Sequence, residues 1–478
     1  MRAFWRVLKG KWTLEGQGMS KEARTDQNLF QLSAPLMLSA LIGMVVILAD
    51  TVILSSYSEN TAAAVSIANQ ILLVAFDLST FFSAGAVVMI SRRLGADEPK
   101  KARQFAEVAV AGNAIIGFFL GLILYFGAPW WIAAIKCPAV IVDDAIVYLR
   151  VGAFTIVFNG VMMAGTAMLR AYGKSRVLLV LALLAYTIYL PLSYGLVFGA
   201  GPFPEMGVKG SALATLVVRV TAVVALLGVI VSQLKFRLMF WRYSFSMLKE
   251  HTKRMLRLSW PLALDNLAYG FYQIILVSFI AGMSVAMVLS RSFTLVLSAV
   301  LTVLLMSLSQ ANEVMVGYRY GAKNAGKVTQ CVVKSSLVAV LVTTLSAVFL
   351  AIFAEPLFGL FTKDPEIVSL GTKLLWLTVF VQPFSAVNTI LYYSLKTIGD
   401  VVVPVAGTQI MMWLLSVPVA YLLAVSWGWG VVGLWWVLLM EESFKAAFLV
   451  LRWRRCARSF FGLTRASAPG ESKSEESA

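Results

Sequence analysis

Long apolar runs, each cut short by charge, glycine or proline, follow one another along nearly the whole chain, with polar residues gathered in the gaps between them. A helix that crosses a bilayer needs roughly 20 mostly apolar residues. On that criterion the pattern predicts spans near residues 32–54, 62–90, 104–128, 144–169, 177–199 and 207–232. A second set falls near 258–281, 285–315, 331–354, 368–395, 401–425 and 430–451.

The second six repeat the first. Ser33-Ala34-Pro35-Leu36 returns as Ser259-Trp260-Pro261-Leu262, and Arg93-Leu94-Gly95-Ala96 returns as Arg319-Tyr320-Gly321-Ala322. Leu190-Pro191 returns as Val417-Pro418, and Gly207-Val208-Lys209-Gly210 as Gly430-Val431-Val432-Gly433. A repeat of about 226 residues is a whole helical bundle, and in a membrane chain it points to a two-lobed transporter. An even number of spans per copy makes the copies parallel. The expected fold is therefore an all-α membrane protein, with twelve transmembrane helices in two parallel-repeat six-helix lobes around a central cavity.

Charge sets the orientation. The segments on one side of the predicted spans hold roughly 32 of the 40 Lys and Arg, and the opposite loops hold Lys136, Lys209, Lys363 and little else. The positive-inside rule puts both termini in the cytoplasm, with the chain in the cytoplasmic (inner) membrane. The expected divisions are a cytoplasmic segment 1–31, an N-lobe 32–232, an amphipathic cytoplasmic linker 233–257, a C-lobe 258–451 and a tail 452–478, basic and then disordered. Residues 1–28 lack the apolar core of a cleavable signal, and Met19 is a possible alternative start.

Composition narrows the function classes. Apolar residues make up 59% of the chain and charged residues 13%, against about 45–50% and 25% in soluble domains. The net charge of +16 reads as the topology signal plus affinity for anionic lipid, and nucleic acid is not an expected partner. Cys137, Cys331 and Cys456 are far apart and suggest neither a disulfide framework nor a metal site. No nucleotide-binding P-loop, HExxH motif or serine-hydrolase elbow is present, so no enzyme and no cofactor are expected. The single histidine, His251, falls in the linker and reads as a solvated surface residue.

At its repeated landmarks the chain resembles the multidrug and toxic-compound extrusion (MATE) family of the multidrug/oligosaccharidyl-lipid/polysaccharide flippase superfamily. The resembling residues are Pro35 and then Ala49-Asp50-Thr51 in span 1, and Arg93-Leu94-Gly95-Ala96-Asp97-Glu98 after span 2. Gly207-Val208-Lys209-Gly210-Ser211-Ala212-Leu213-Ala214-Thr215 completes the set. The resemblance implies a cation-coupled exporter with Asp50 in the N-lobe cation site. Departures bear on the ion. The span 5 Asn and Asp-Pro of many members correspond here to Tyr186 and Leu190-Pro191, which leaves Asp50 without those partners. Asp265 best matches the acidic residue of span 7, while the Asp of span 10 has no counterpart beyond Gln382 and Asn388.

Ionisable groups within spans cost about 2.5–3.5 kcal/mol near the centre, so each needs a partner or a function. Asp50, Asp77 and Asp265 are the cation-coupling candidates; their bland readings are a carboxylate neutralised by Arg219, a structural ion pair and a helix cap near Pro261. Cavity or gating candidates are Arg219, Tyr269, Tyr272, Gln382, Asn388 and Glu442. In the Gly207/Gly430 register Arg219 falls on Glu442, so matching positions of the two lobes carry opposite charges. Arg219 is expected within salt-bridge reach of Asp50, Asp77 or Glu442, and Glu441 can pair with Lys445 one turn on. Desolvation raises carboxyl pKa values, so membrane-depth carboxylates can carry protons without a histidine.

The expected function is a cation-coupled antiporter, driven by protons with sodium as the alternative, that exports small organic compounds by alternating access as a monomer. The rival reading is a flippase for a lipid-linked oligosaccharide or another amphipathic lipid, which calls for a cationic cavity.

Overall fold

The structure is a computed structural model and describes residues 27–135, 137–234 and 245–466. Twelve long helices follow the apolar runs. In the N-lobe they are α1 (Leu29–Tyr57), α2 (Glu59–Gly95), α3 (Pro99–Ala134), α4 (Val142–Ala171), α5 (Ser175–Phe198) and α6 (Gly207–Leu234). In the C-lobe they are α7 (Phe245–Ala281), α8 (Val285–Gly321), α9 (Ala325–Ile352), α10 (Pro365–Ile398), α11 (Val402–Ser426) and α12 (Gly430–Ala466). Ten of these are long and apolar enough by themselves to cross a membrane. The other two, α4 and α12, are 30 and 37 residues long and carry charge along their length.

The helices overrun the predicted spans at the basic end. Residues 245–257, expected in a surface linker, are the first turns of α7, and His251, partly buried, packs against the Phe105 ring at 4.3 Å rather than standing free in solvent. At the other extreme α12 runs on to Ala466 instead of stopping near residue 451. Arg452 in that extension grips Asp400 of the α10–α11 turn through two hydrogen bonds of 2.6 and 3.0 Å. The N-terminal segment before residue 27, the aromatic centre of the linker at 235–244 and the tail after residue 466 lie outside the described residues.

Five cores divide the interior among the described residues, and three of them are large. One belongs to the N-lobe away from the basic end and includes Leu54, Leu72, Leu124 and Val197. Another belongs to the C-lobe at the same level and includes Tyr272, Leu276 and Trp435. At the basic end the largest core takes residues from both lobes, Leu94, Phe105 and Met168 beside Leu308, Tyr318 and Leu395, and a small one joins Val88 to Leu258, Val401 and Val405. The lobes are therefore fused at the basic end and separate at the other.

That fusion needs bare backbone. A Cβ on Gly95 would strike the Tyr318 carbonyl, and one on Gly321 would strike the Arg92 carbonyl, so the ends of α2 and α8 cross where only glycine fits. Tyr318 then donates its hydroxyl to the Ala171 carbonyl at 2.6 Å, and Arg92 donates to the Thr397 carbonyl while lying 4.9 Å over the Tyr320 ring. Both contacts join one lobe to the other.

Candidate functional site

Asp77 sits at a break in α2. The helix stops at Ser79 and restarts at Phe81, with Thr80 bonding back to the Asp77 carbonyl at 2.8 Å. Freed backbone groups at membrane depth must be satisfied from within the protein. Asn113 of α3 does this, accepting the Phe82 N–H at 2.9 Å and donating to the Ser83 hydroxyl and the Gly160 carbonyl. The break turns Asp77, exposed, into a cavity of about 320 Å³ between the lobes. No hydrogen bond or ion pair ties up its carboxylate among the described residues.

The same cavity receives Asn159 and Arg170 from the N-lobe and Gln310, Glu313, Tyr393 and Lys396 from the C-lobe. Glu313 and Lys396 form an ion pair of 2.7 Å with side chains 3% and 7% exposed, and Lys396 also lies 4.1 Å over the Tyr393 ring. Arg170 faces them from the opposite lobe, with its Nε buried and making no hydrogen bond. None of Arg170, Glu313 and Lys396 was a sequence candidate. Arg170 and Lys396 counted as loop cations, and Glu313 fell inside a long apolar run where an acid is costly, which was the available signal.

Asp50 lies in a separate N-lobe cluster. Ser193 donates to its Oδ1 at 3.0 Å, and Tyr189 bonds it as well. Both hydroxyls come from α5 and bracket Pro191, so this helix supplies partners where the sequence reading found none. Arg219 does not neutralise Asp50, and the expected salt bridge to Asp50, Asp77 or Glu442 is not formed. Its guanidinium instead donates to Asn159 Oδ1 at 2.8 Å and lies 4.1 Å over the Phe76 ring. Aromatic and amide partners are easier to place at this depth than a second desolvated ion.

The C-lobe uses carboxylates differently. Asp265 is held by the Tyr392 hydroxyl at 2.7 Å and by Gln409 Nε2 at 2.6 Å, and Trp413 donates to Gln409 in turn. Gln409 and Trp413 belong to α11, where π-helical turns at Met411–Ser416 and Tyr421–Ser426 flank Pro418. Such turns in a helix frequently mark functional sites. Lys445 bonds Glu441 within one turn of α12, as its spacing predicted, and approaches Glu442 at 3.8 Å. Tyr272 donates to Glu441, and Asn388 donates to Glu442 at 2.6 Å. Tyr269 joins a chain in which Gln273 donates to it at 2.6 Å and Arg291 donates to Gln273 at 2.7 Å. Gln382 is buried with its Oε1 unbonded. The site candidates thus fall into an Asp50 cluster, a cavity with Asp77, and a C-lobe network, rather than one centre.

Twelve long helices in two lobes, with charged and polar groups gathered between and within them, define a membrane transporter. The chain belongs to the MatE family, whose profile matches residues 35–195 and again residues 261–422, once in each lobe. It is a MATE-family transporter. It is similar to the transporter YisQ of Bacillus subtilis, 28% identical over 436 residues that take in 91% of this chain and 96% of that one. It is also similar to a Thermotoga maritima protein named "Probable multidrug resistance protein NorM", 25% identical over 430 residues, 89% of this chain and 91% of the other. Among solved structures, the Vibrio cholerae MATE transporter VcmN shares the fold, with a TM-score of 0.83 at 17% identity over 92% of this chain and 99% of that one.

Proposed function

We propose that the protein is a proton-coupled antiporter that exports small organic compounds across the cytoplasmic membrane, with both termini inside. The observation that carries this reading is Asp50. It is held in the N-lobe by the hydroxyls of Ser193 and Tyr189, and no Lys or Arg pairs with it among the described residues. A carboxylate with hydroxyl partners alone can take up and release a proton without breaking an ion pair. Sodium asks for several oxygen ligands at once, and two hydroxyls and one carboxylate make a sparse set for it.

With the basic end inside, fusion of the lobes there leaves the cavity shut to the cytoplasm and supports an outward-facing state. Asp77, unpaired in the cavity beside Phe76 and Tyr393, is the group that would meet the substrate. The cavity charges, Asp77 and Glu313 against Arg170 and Lys396, balance, which disfavours the lipid-oligosaccharide flippase with its cationic cavity. One proton crossing 100 mV releases about 2.3 kcal/mol. At about 1.4 kcal/mol per tenfold, that supports a gradient of roughly 40-fold for a neutral substrate.

The test is uptake into proteoliposomes under an imposed pH gradient and, separately, a sodium gradient, with cationic, neutral and anionic compounds. Transport that follows sodium at constant pH would overturn the proton assignment.

A further inference from the structure

A second cavity, of about 430 Å³, opens at the basic end between the start of α1 and the first turns of α9. It lies across the lobe boundary, since Asn28 and Phe30 come from one lobe and Arg319, Lys327, Gln330 and Lys334 from the other. Three cations line it, and no carboxylate does among the described residues. The Nη1 of Arg319 is buried there and makes no hydrogen bond. A buried guanidinium nitrogen left unbonded is costly, and a bound acceptor would relieve it. The amino-terminal end of α1, a helix of 29 residues, also contributes to the wall. Backbone N–H groups and the helix dipole both favour an anion at that end.

The surroundings narrow the ligand further. Beside and beyond Lys334, α9 carries Val333, Leu337 and Leu341 at 50%, 65% and 60% exposure, and Phe30 stands 49% exposed on α1. A polar, cationic recess thus leads onto a bare apolar strip. That is the arrangement an anionic headgroup with attached acyl chains would fill.

We propose that this cavity binds a phosphate-ester anion, supplied by the headgroup of an anionic phospholipid in the leaflet at the basic end. The ligand would touch α1 of one lobe and α8 and α9 of the other, so it would hold the fused end together. Ligands that prefer one of two conformations shift the balance towards it.

The experiment uses the full-length protein in detergent. Native mass spectrometry would follow binding of phosphatidylglycerol and of phosphatidylethanolamine to the parent and to an Arg319→Gln/Lys334→Gln variant. Phosphatidylglycerol binding should weaken roughly 30-fold in the variant, from about 1 kcal/mol per basic residue near the lipid. Lys334→Arg should retain it, and Lys249→Gln/Lys253→Gln, exposed on α7 at the same end, should leave it unchanged. Competition by glycerol 3-phosphate and inorganic phosphate separates the sources. Displacement of the lipid by either at millimolar concentration would assign the site to a free anion and overturn the lipid reading. Equal phosphatidylglycerol binding by the parent and the folded double variant would overturn the site itself.

Discussion

Asp97 and Lys323 stand at matching places in the two lobes and share one left-handed backbone conformation, with φ of 58° and 57°. The turns around them bond alike. Glu98 N–H reaches the Arg93 carbonyl at 2.8 Å, and Asn324 N–H reaches the Arg319 carbonyl at 3.0 Å. One side chain is acidic and the other basic, so the duplicated feature here is the backbone path. Each turn closes a helix whose preceding glycine, Gly95 or Gly321, presses on the opposite lobe.

Gly95→Ala therefore tests the closure of the basic end. The added methyl meets the Tyr318 carbonyl, a backbone group that cannot swing aside, so the crossing of α2 and α8 must loosen. The variant should still insert, because its helices keep their apolar faces. A cysteine placed at Ala84 on the cavity wall, with the native cysteines replaced, should become reactive to a membrane-impermeant thiol reagent from the basic side. Unchanged protection in Gly95→Ala would contradict a seal made at this crossing.

Arg219→Gln removes a cation held by Asn159 and Phe76. A charge-assisted hydrogen bond and a desolvated cation–π contact together amount to about 3.5–5 kcal/mol. Thermal unfolding in detergent should register a loss of that order. Double-mutant cycles with Asp50→Asn, Asp77→Asn and Glu442→Gln should give coupling well below that of a direct ion pair, since Arg219 touches none of the three carboxylates. The cycle with Asn159→Ala should give clearly more. Strong coupling to any of the three carboxylates would restore the ion pair that the Arg219 geometry rules out.

The two glutamates of α12 give an asymmetric pair of expectations. Lys445→Met leaves the buried Glu441 and the partly buried Glu442 beside it without a cation, a loss of about 3–5 kcal/mol by analogy with broken buried pairs. Glu441→Gln leaves Lys445 with Glu442 at 3.8 Å and should cost distinctly less. Equal destabilisation by the two changes would mean that Lys445 has no share in holding Glu442.

Sequence pattern reached the helices and the duplication because both are local or periodic properties. Apolar run length reached the twelve long helices, and Glu441 with Lys445 was legible because helical spacing puts them one turn apart. The ion pair of Glu313 with Lys396 was not legible, since it joins α8 to α10 and no spacing along the chain encodes a crossing. Helix ends were underestimated for a related reason. Basic residues such as Arg319 and Arg452 read as loop, although their helices continue past the apolar core, in the second case turning Arg452 onto Asp400. The partners of Asp50 were not legible because the family pattern puts amide and carboxylate groups at those positions, whereas Tyr189 and Ser193 supply hydroxyls on either side of Pro191.

Asp50 is where the proposed coupling can be tested most directly. An acidic group near the end of α1 away from the basic side can load a proton there and discharge it once the lobes rock the other way. The bias this places on the two conformations is about 1.4 kcal/mol for each pKa unit by which the carboxyl differs between them. Asp50→Asn keeps the size and can still accept from Ser193, so it should fold, insert and bind substrate. It should lose uphill, gradient-driven export and the pH dependence that goes with it. Glu98 provides the contrast. Lys101 and Arg93 hold its carboxyl below the usual range, at 2.8 and 2.6 Å, in the α2–α3 turn. A depressed carboxyl keeps its contribution above its unfolded pKa and loses it only as the pH falls through the folded value, so between pH 5 and 8 it stays constant, as an order-of-magnitude expectation. Glu98→Gln should accordingly leave the shape of the pH profile over that window as it is in the parent. Uphill transport by Asp50→Asn at the parent rate and matched protein level would remove Asp50 from the mechanism and pass the role to Asp77, the cavity carboxylate with no partner of its own.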